Sequence, residues 1–180
     1  MSQQLDHNYT QFRSLKSRHF LVFFIAMFAL FLANVPSFAA APPFEPRFAT
    51  VKHPKVKVRV GPSYKHPIRW MLVRSNFPVK IVDSYDHWRK IQDWRDTEGW
   101  VHKNDISENK KRRTIIVRDL ETVLRSEPSA GAAIEATLER DVVAFLEKCQ
   151  NGWCRVKVQD HRGWVFESSI WGVGQRDFLG

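Results

Sequence analysis

Only two cysteines occur in the 180 residues, Cys149 and Cys154 in the segment CQNGWC. Their C-x₄-C spacing is not the C-x-x-C of a thiol redox motif, and no second pair completes a zinc ligand set. The chain has no H-E-x-x-H zinc helix, no G-x-S-x-G elbow and no G-x-x-x-x-G-K-[ST] phosphate loop. Cys149 or Cys154 with His161 is a formal peptidase pair, but two thiols on one tight hairpin pair more readily with each other. The expectation is a protein that is not an enzyme and uses no metal or cofactor.

Long apolar runs are scarce as well. The one that stands out is Phe20 to Val35, sixteen residues without a charge, preceded by Arg13, Lys16 and Arg18 and followed by PSFAAAPP. A basic flank, an apolar stretch and small residues at a cut site make an export signal. The run falls short of the roughly 20 residues of a spanning helix. Residues 1–41 therefore read as a signal peptide cleaved after Ala39, with an uncleaved signal anchor as the alternative. The remaining chain is expected outside the cytoplasm, periplasmic or secreted, or held at the inner membrane by that segment alone.

Acidic residues are few, 19 against 28 Lys and Arg, and unevenly placed. Residues 42–113 hold 17 basic and 8 acidic side chains, whereas residues 114–180 hold 8 and 10. The run Lys110-Lys111-Arg112-Arg113 is the densest basic patch, and Lys52, Lys55, Lys57 and Arg59 mark a basic strand. These residues are either a solvated surface with a flexible basic linker or a face for an anionic partner. Nucleic acid would satisfy such charge, but export argues against it.

What the chain does contain is a repeat. VRVGPS (58–63), DHWRKI (86–91) and EGWVHKNDI (98–106) recur as LRSEPS (124–129), NGWCRV (151–156) and RGWVFESSI (162–170). Arg59 matches Arg125, Trp88 matches Trp153, and Gly99-Trp100-Val101 matches Gly163-Trp164-Val165. Order and spacing agree within one or two residues, so the chain holds two copies of one module.

Each copy reads as short strands separated by turns, such as VKVRV (56–60), PVKIV (78–82) and WRKI (88–91). GAAIEATLER (131–140) is helical by composition. Its counterpart KHPIRWMLVR contains a proline, so both read as a loop leading into a strand. KNDI and ESSI each read as one helical turn before a last strand. The fold class is all-β: two tandem small barrels after an N-terminal apolar helix. The expected boundaries are a Pro-rich linker at 42–50, a first module at 51–108 and a basic linker at 109–114. A second module at 115–173 and a tail at 174–180 complete the chain.

The pattern V-x-V-R-x-G-P-S, a W-x-x-I/V hairpin, then G-W-V and a hydrophobic residue a turn later resembles the bacterial SH3-like domain. The chain resembles the exported two-copy SH3-like proteins of Gram-negative bacteria. That resemblance implies a pair of five- or six-stranded half-open barrels. Related modules attached to wall hydrolases recognise peptidoglycan peptides and leave catalysis to a separate domain; others mediate protein contacts. The second copy departs at Ser126-Glu127, where the family's glycine is replaced, which puts the geometry of its first loop in question. The implied function is a non-catalytic envelope binding module for peptidoglycan peptide or glycan. A scaffold component that docks another envelope protein is the alternative.

Aromatic side chains are the binding candidates, because Tyr and Trp offer rigid contact area with a polar tip. Trp100 and Trp164 occupy equivalent strands and read as core or groove floor. Trp88 and Trp153 follow a hairpin turn and either close a barrel or line its groove. Tyr64, Trp70 and Trp94 are not needed to build both barrels and are better candidates; Trp171 is a weaker one. The expected ligand-binding set is Arg59, Tyr64, Trp70, Trp88, Trp94 and Trp153.

The cysteines then fall on a hairpin, because Trp153 matches Trp88. Asn-Gly is the preferred pair for a two-residue type I′ turn. With Asn151 and Gly152 in that turn, Gln150 pairs with Trp153 and Cys149 lies opposite Cys154. A non-hydrogen-bonded pair brings alpha carbons to about 4.5 Å, near the lower end of what a disulfide spans. The segment reads as a disulfide staple in a compartment that permits one.

Overall fold

A computed structural model describes residues 43–174 and 177–178. The export segment read at residues 20–35 lies outside the described residues. No helix among the described residues is long and apolar enough to cross a membrane.

The first module contains β1 (Arg47–Val51), β2 (Val56–Arg59), β3 (Ile68–Leu72), β4 (Pro78–Tyr85), β5 (Trp88–Gln92), β6 (Glu98–His102) and β7 (Ile106–Ser107). The second contains β8 (Thr114–Val117), β9 (Glu121–Arg125), β10 (Ile134–Glu139), β11 (Val143–Gln150), β12 (Trp153–Val158), β13 (His161–Phe166) and β14 (Ile170–Trp171). The sheet orders are β3-β2-β6-β5-β4-β1-β7 and β10-β9-β13-β12-β11-β8-β14. Strand for strand, the two are the same arrangement, and every pairing is antiparallel.

Alternation builds the cores. On β2, Val56 and Val58 point inward and Lys57 outward, as a period of two requires. Val79, Ile81, Ile91 and Val101 fill the first barrel; Leu124, Leu146, Val156 and Val165 fill the second. Both long strands break register at equivalent places, between Ile81 and Asp83 and between Leu146 and Lys148. A bulge there bends the strand around the barrel corner. One 3-10 turn precedes each last strand, Lys103–Asp105 and Glu167–Ser169, where KNDI and ESSI predict it.

Two details depart from the sequence reading. The stretch expected as a linker, 42–50, becomes β1 from Arg47 onward, with Ala49, Thr50 and Val51 buried. Its prolines all precede that point, so nothing removes a donor from the ladder. Counting β1 and the two-residue β7 raises each sheet from the expected five or six strands to seven. The supposed basic linker ends inside β8, and a 3-10 turn at Lys110–Arg112 occupies its middle.

The glycine of each G-W-V triplet marks a close strand crossing. A Cβ at Gly99 would lie 2.4 Å from Val58 Cγ1, and one at Gly163 would lie 2.6 Å from the Arg125 carbonyl oxygen. Here β6 meets β2 through the pair Arg59–Trp100, and β13 meets β9 through Arg125–Trp164.

The modules also pack on each other, a point the sequence leaves open. Thr50 Oγ1 donates to the Arg112 carbonyl at 2.8 Å and lies 3.1 Å from Thr114 Oγ1. Phe48 meets Trp171 edge-on at 4.9 Å. Arg113 is 7% exposed, donates from Nη2 to the Gly172 carbonyl and Asp177 Oδ2 at 2.8 Å each, and covers the Phe48 ring. Arg113 is therefore a structural pin and leaves the patch offered to anions. Lys110, Lys111 and Arg112 remain exposed.

Candidate functional site: an aromatic corner on the first module

The loop between β2 and β3 folds over the hairpin between β4 and β5. In the loop, Ser63 N–H donates to the Gly61 carbonyl, His66 N–H to Ser63, and Val60 N–H to Pro67. Arg59 Nη1 donates to the His66 carbonyl at 2.7 Å and ties the loop to β2. This presents Tyr64, 68% exposed, at the rim.

Tyr64 meets Trp88 edge-on at 4.9 Å and stacks on His102 at 5.8 Å. Trp88 meets His102 at 5.7 Å, and His87 meets His102 at 6.1 Å. The Arg59 guanidinium lies 5.6 Å from the Tyr64 ring centroid. Trp88 is the buried floor, 7% exposed. The result is a shallow corner with an aromatic base, ring donors at its side and a cation behind. Rings offset in this way present faces and edges to a ligand instead of burying each other completely.

Three of the predicted residues, Arg59, Tyr64 and Trp88, come together here. The other three lie elsewhere. Trp70 packs against the first core beside Gly99, with Arg69 over its ring at 5.6 Å. Trp94 sits in the β5–β6 loop beneath Arg95, at 4.6 Å. That loop is held by Asp93 Oδ1, which accepts from Arg95 N and Thr97 N. Among the described residues, no ring contact joins Trp70 or Trp94 to the corner. Trp153 belongs to the second module and meets Phe166 at 5.2 Å.

Sequence reasoning missed His87 and His102. The signal was present: the residue following each G-W-V is a ring, His102 or Phe166, and each pairs across the sheet with the hairpin tryptophan. Read through the repeat, the second module replaces Tyr64 by Ala130, His87 by Gly152 and His102 by Phe166. Its corner keeps two apolar rings and loses both imidazoles and the phenol.

The second module's first loop nevertheless keeps its shape. Ser129 N–H donates to Glu127, Ala132 N–H to Ser129, and Ser126 N–H to Ala133. Arg125 Nη1 donates to the Ala132 carbonyl at 2.7 Å, as Arg59 does to His66. The missing glycine has a local explanation. A Cβ at Gly61 would lie 2.6 Å from the His66 ring. In the second copy Ala132 stands at the His66 position, so Glu127 has room.

CQNGWC forms the expected staple. Gln150 pairs with Trp153 and Cys149 with Cys154, with Asn151 and Gly152 both at positive φ in the turn. The disulfide joins alpha carbons 4.0 Å apart. Both cysteines also belong to the second core. The equivalent pair in the first module is Ser84–Arg89.

A second concave region, a cleft of roughly 550 Å³, lies where the modules meet, among Arg47, Phe48, Lys80, Arg113 and Trp171. Its arginines are already engaged, Arg47 with Glu108 and Arg113 with Asp177. Its two rings cover each other. The exposed corner is the better candidate. Among the described residues, no group of three or more His, Cys, Asp and Glu side chains could hold a metal.

Two small antiparallel barrels in tandem, of one strand order and each with a ring pair at one corner, define a tandem SH3-type protein. Residues 52–108 and 119–172 each match the family model for the bacterial SH3 domain, and the chain belongs to that family. No curated protein matches it significantly. Among solved structures it is similar to NlpC2 from Trichomonas vaginalis, with 16% identity over 71% of this chain and 48% of that one, TM-score 0.33. NlpC1 from the same organism gives 15% identity over 76% and 49%, TM-score 0.33. This chain spans about half the length of each.

Proposed function

We propose that this protein is a non-catalytic binding component of the cell envelope, whose first module holds a peptidoglycan peptide or glycan in the Tyr64–Trp88–His102 corner. The observation that carries the reading is that corner. An exposed phenol and a half-buried imidazole stand over a buried indole, with Arg59 behind them. Sugar and peptide C–H surfaces stack on such rings. A wall carboxylate finds a counter-charge in Arg59 and the exposed lysines nearby. Membership in the bacterial SH3 family and the export segment read at residues 20–35 support the same reading. The modules then work in the periplasm or outside the cell, or are tethered to the inner membrane.

The binding is unequal between the copies, because the Trp153–Phe166 corner lacks every polar ring of the first. Co-sedimentation of the purified protein with wall sacculi, at low and high salt, is the test. The expected result is retention that Tyr64→Ala lowers and Trp94→Ala leaves unchanged. No retention at either salt, or retention indifferent to Tyr64→Ala, overturns the reading.

A second reading is a scaffold that docks another envelope protein by strand addition. The observation behind it is that β3 ends its sheet with Ile68 and Met71 exposed. Crosslinking in intact cells separates the two readings: one dominant protein partner that survives wall digestion favours the scaffold.

A further inference from the structure

The two edge hairpins are the same structure with opposite charge. The β2–β3 hairpin and its flanks, residues 52–74, carry seven Lys or Arg and no Asp or Glu. The equivalent stretch, residues 118–140, carries three basic and five acidic residues. On the acidic side Arg125 holds the Ala132 carbonyl and Arg140 the Arg118 carbonyl. On the basic side Arg59, Arg69 and Arg74 likewise hold the carbonyls of His66, Glu98 and Asp141, so its surplus is carried by Lys52, Lys55, Lys57 and Lys65. The difference falls on the edges themselves. Arg69 on β3 stands where Glu135 stands on β10, beside a register shift that both hairpins share.

Among the described residues both strands end their sheets, so each leaves one row of backbone donors and acceptors without a strand partner there. Each also exposes apolar surface: Ile68 is 46% and Met71 39% exposed on one, and Ile134 63% on the other.

One feature of the acidic edge is unrelieved among the described residues. Glu139 on β10 pairs directly with Glu121 on β9, and like charges directly opposite are destabilising. Among the described residues neither makes an ion pair, nor do Glu127 and Glu135. The arrangement calls for cations from outside. Lys55, Lys57 and Lys65 supply them, together with Arg69, which also holds the Glu98 carbonyl, on an edge of matching backbone shape.

We propose that copies of this chain associate head to tail, the basic edge strand β3 of one pairing with the acidic edge strand β10 of the next. Like charges bar β3 from β3 and β10 from β10, so the charge sets the pairing as well as its strength. Such a contact uses two different patches, so it propagates into a ring or an open chain of copies.

The test places a photo-crosslinking amino acid at Met71 of the full-length chain in cells, with half the copies isotope-labelled. The expected product is a mixed-isotope crosslink between position 71 of one copy and residues 134–140 of another. Absence of that product, or capture mainly of a different protein, overturns the proposal. Arg69→Glu and Glu135→Arg, each alone, should lower its yield about tenfold, and both changes in one chain should restore it, as charge complementarity requires. Glu135 makes no ion pair among the described residues, so Glu135→Arg tests the edge with little risk to the fold. Single variants without effect, or a double variant that stays low, overturn the proposal equally.

Discussion

The two modules place the same strands in the same order, with bulges and loop hydrogen bonds at matching positions, yet they differ at their exposed corners and edges. The first has Tyr64, His87 and His102 around Trp88; the second has Ala130, Gly152 and Phe166 around Trp153. The first has Ser84 opposite Arg89 in its hairpin, where the second has a disulfide between Cys149 and Cys154. The first edge is basic and the second acidic. The positions held in common, Arg59 and Arg125, Gly99 and Gly163, build the barrel. Those that differ are the ones free to specialise. Arg59 belongs partly to both groups, since the bond it makes is copied by Arg125.

The strongest strain on this comparison is a methyl group at the strand crossing. At Gly163 it meets the Arg125 carbonyl and Leu124, whereas at Gly99 it meets Val58 and Trp70 side chains first. Backbone yields less than side chain, so Gly163→Ala should cost about 3 kcal/mol and Gly99→Ala about 2 kcal/mol, within the overpacking range. Urea unfolding followed by tryptophan fluorescence measures both. Equal costs would show that the two crossings are interchangeable.

A smaller effect tests the exchange of Gly61 and His66 for Glu127 and Ala132. Gly61→Glu alone should destabilise by about 1–2 kcal/mol, because its Cβ enters the His66 ring. Adding His66→Ala should recover most of that loss. A double variant no more stable than the single one would mean that the loop needs glycine for another reason.

The smallest effect concerns acid stability. Burial raises the pKa of Glu108, but its hydrogen bonds and charge interactions with Arg47 and Arg89 outweigh burial and hold it below the ordinary carboxylate value. A depressed pKa in the folded state gives stability that is complete above the unfolded value and is lost as pH falls through the folded one. The second module has Gly172 at that position, with φ of +119°, and no equivalent carboxylate clamp among the described residues. Glu108→Gln should therefore flatten the acid limb of the first module. After screening of a group more than a third exposed, the change should be about 0.5 kcal/mol or less. Thermal unfolding between pH 3 and 7, on the order of the carboxylate range, measures it.

The repeat made most of the architecture legible. Alternating valines, paired turns and the G-W-V triplets locate the strands from β2 to β6 and from β9 to β13, and Asn151-Gly152 locates the disulfide hairpin. The first strand was hidden because RFATV follows three prolines and its pattern is too short to stand apart from a linker. The site was half legible. Tyr64 and Trp88 stand out as aromatics, but His102 reads as an ordinary strand residue until the register sets it beside Trp88. Trp70 and Trp94 show the converse: composition marks them as candidates, and packing sends one to the core and the other to a separate loop.

Local rules acting on the sequence alone determined the two modules, their all-β character, the paired cysteines and the split of charge between the halves. Each depends on neighbours a few residues apart or on composition. Tertiary structure decided which aromatics meet, that Arg113 is buried between the modules and not offered to a partner, and that opposite charges lie on equivalent free edges. Those outcomes depend on contacts between residues tens of positions apart, which no local pattern encodes.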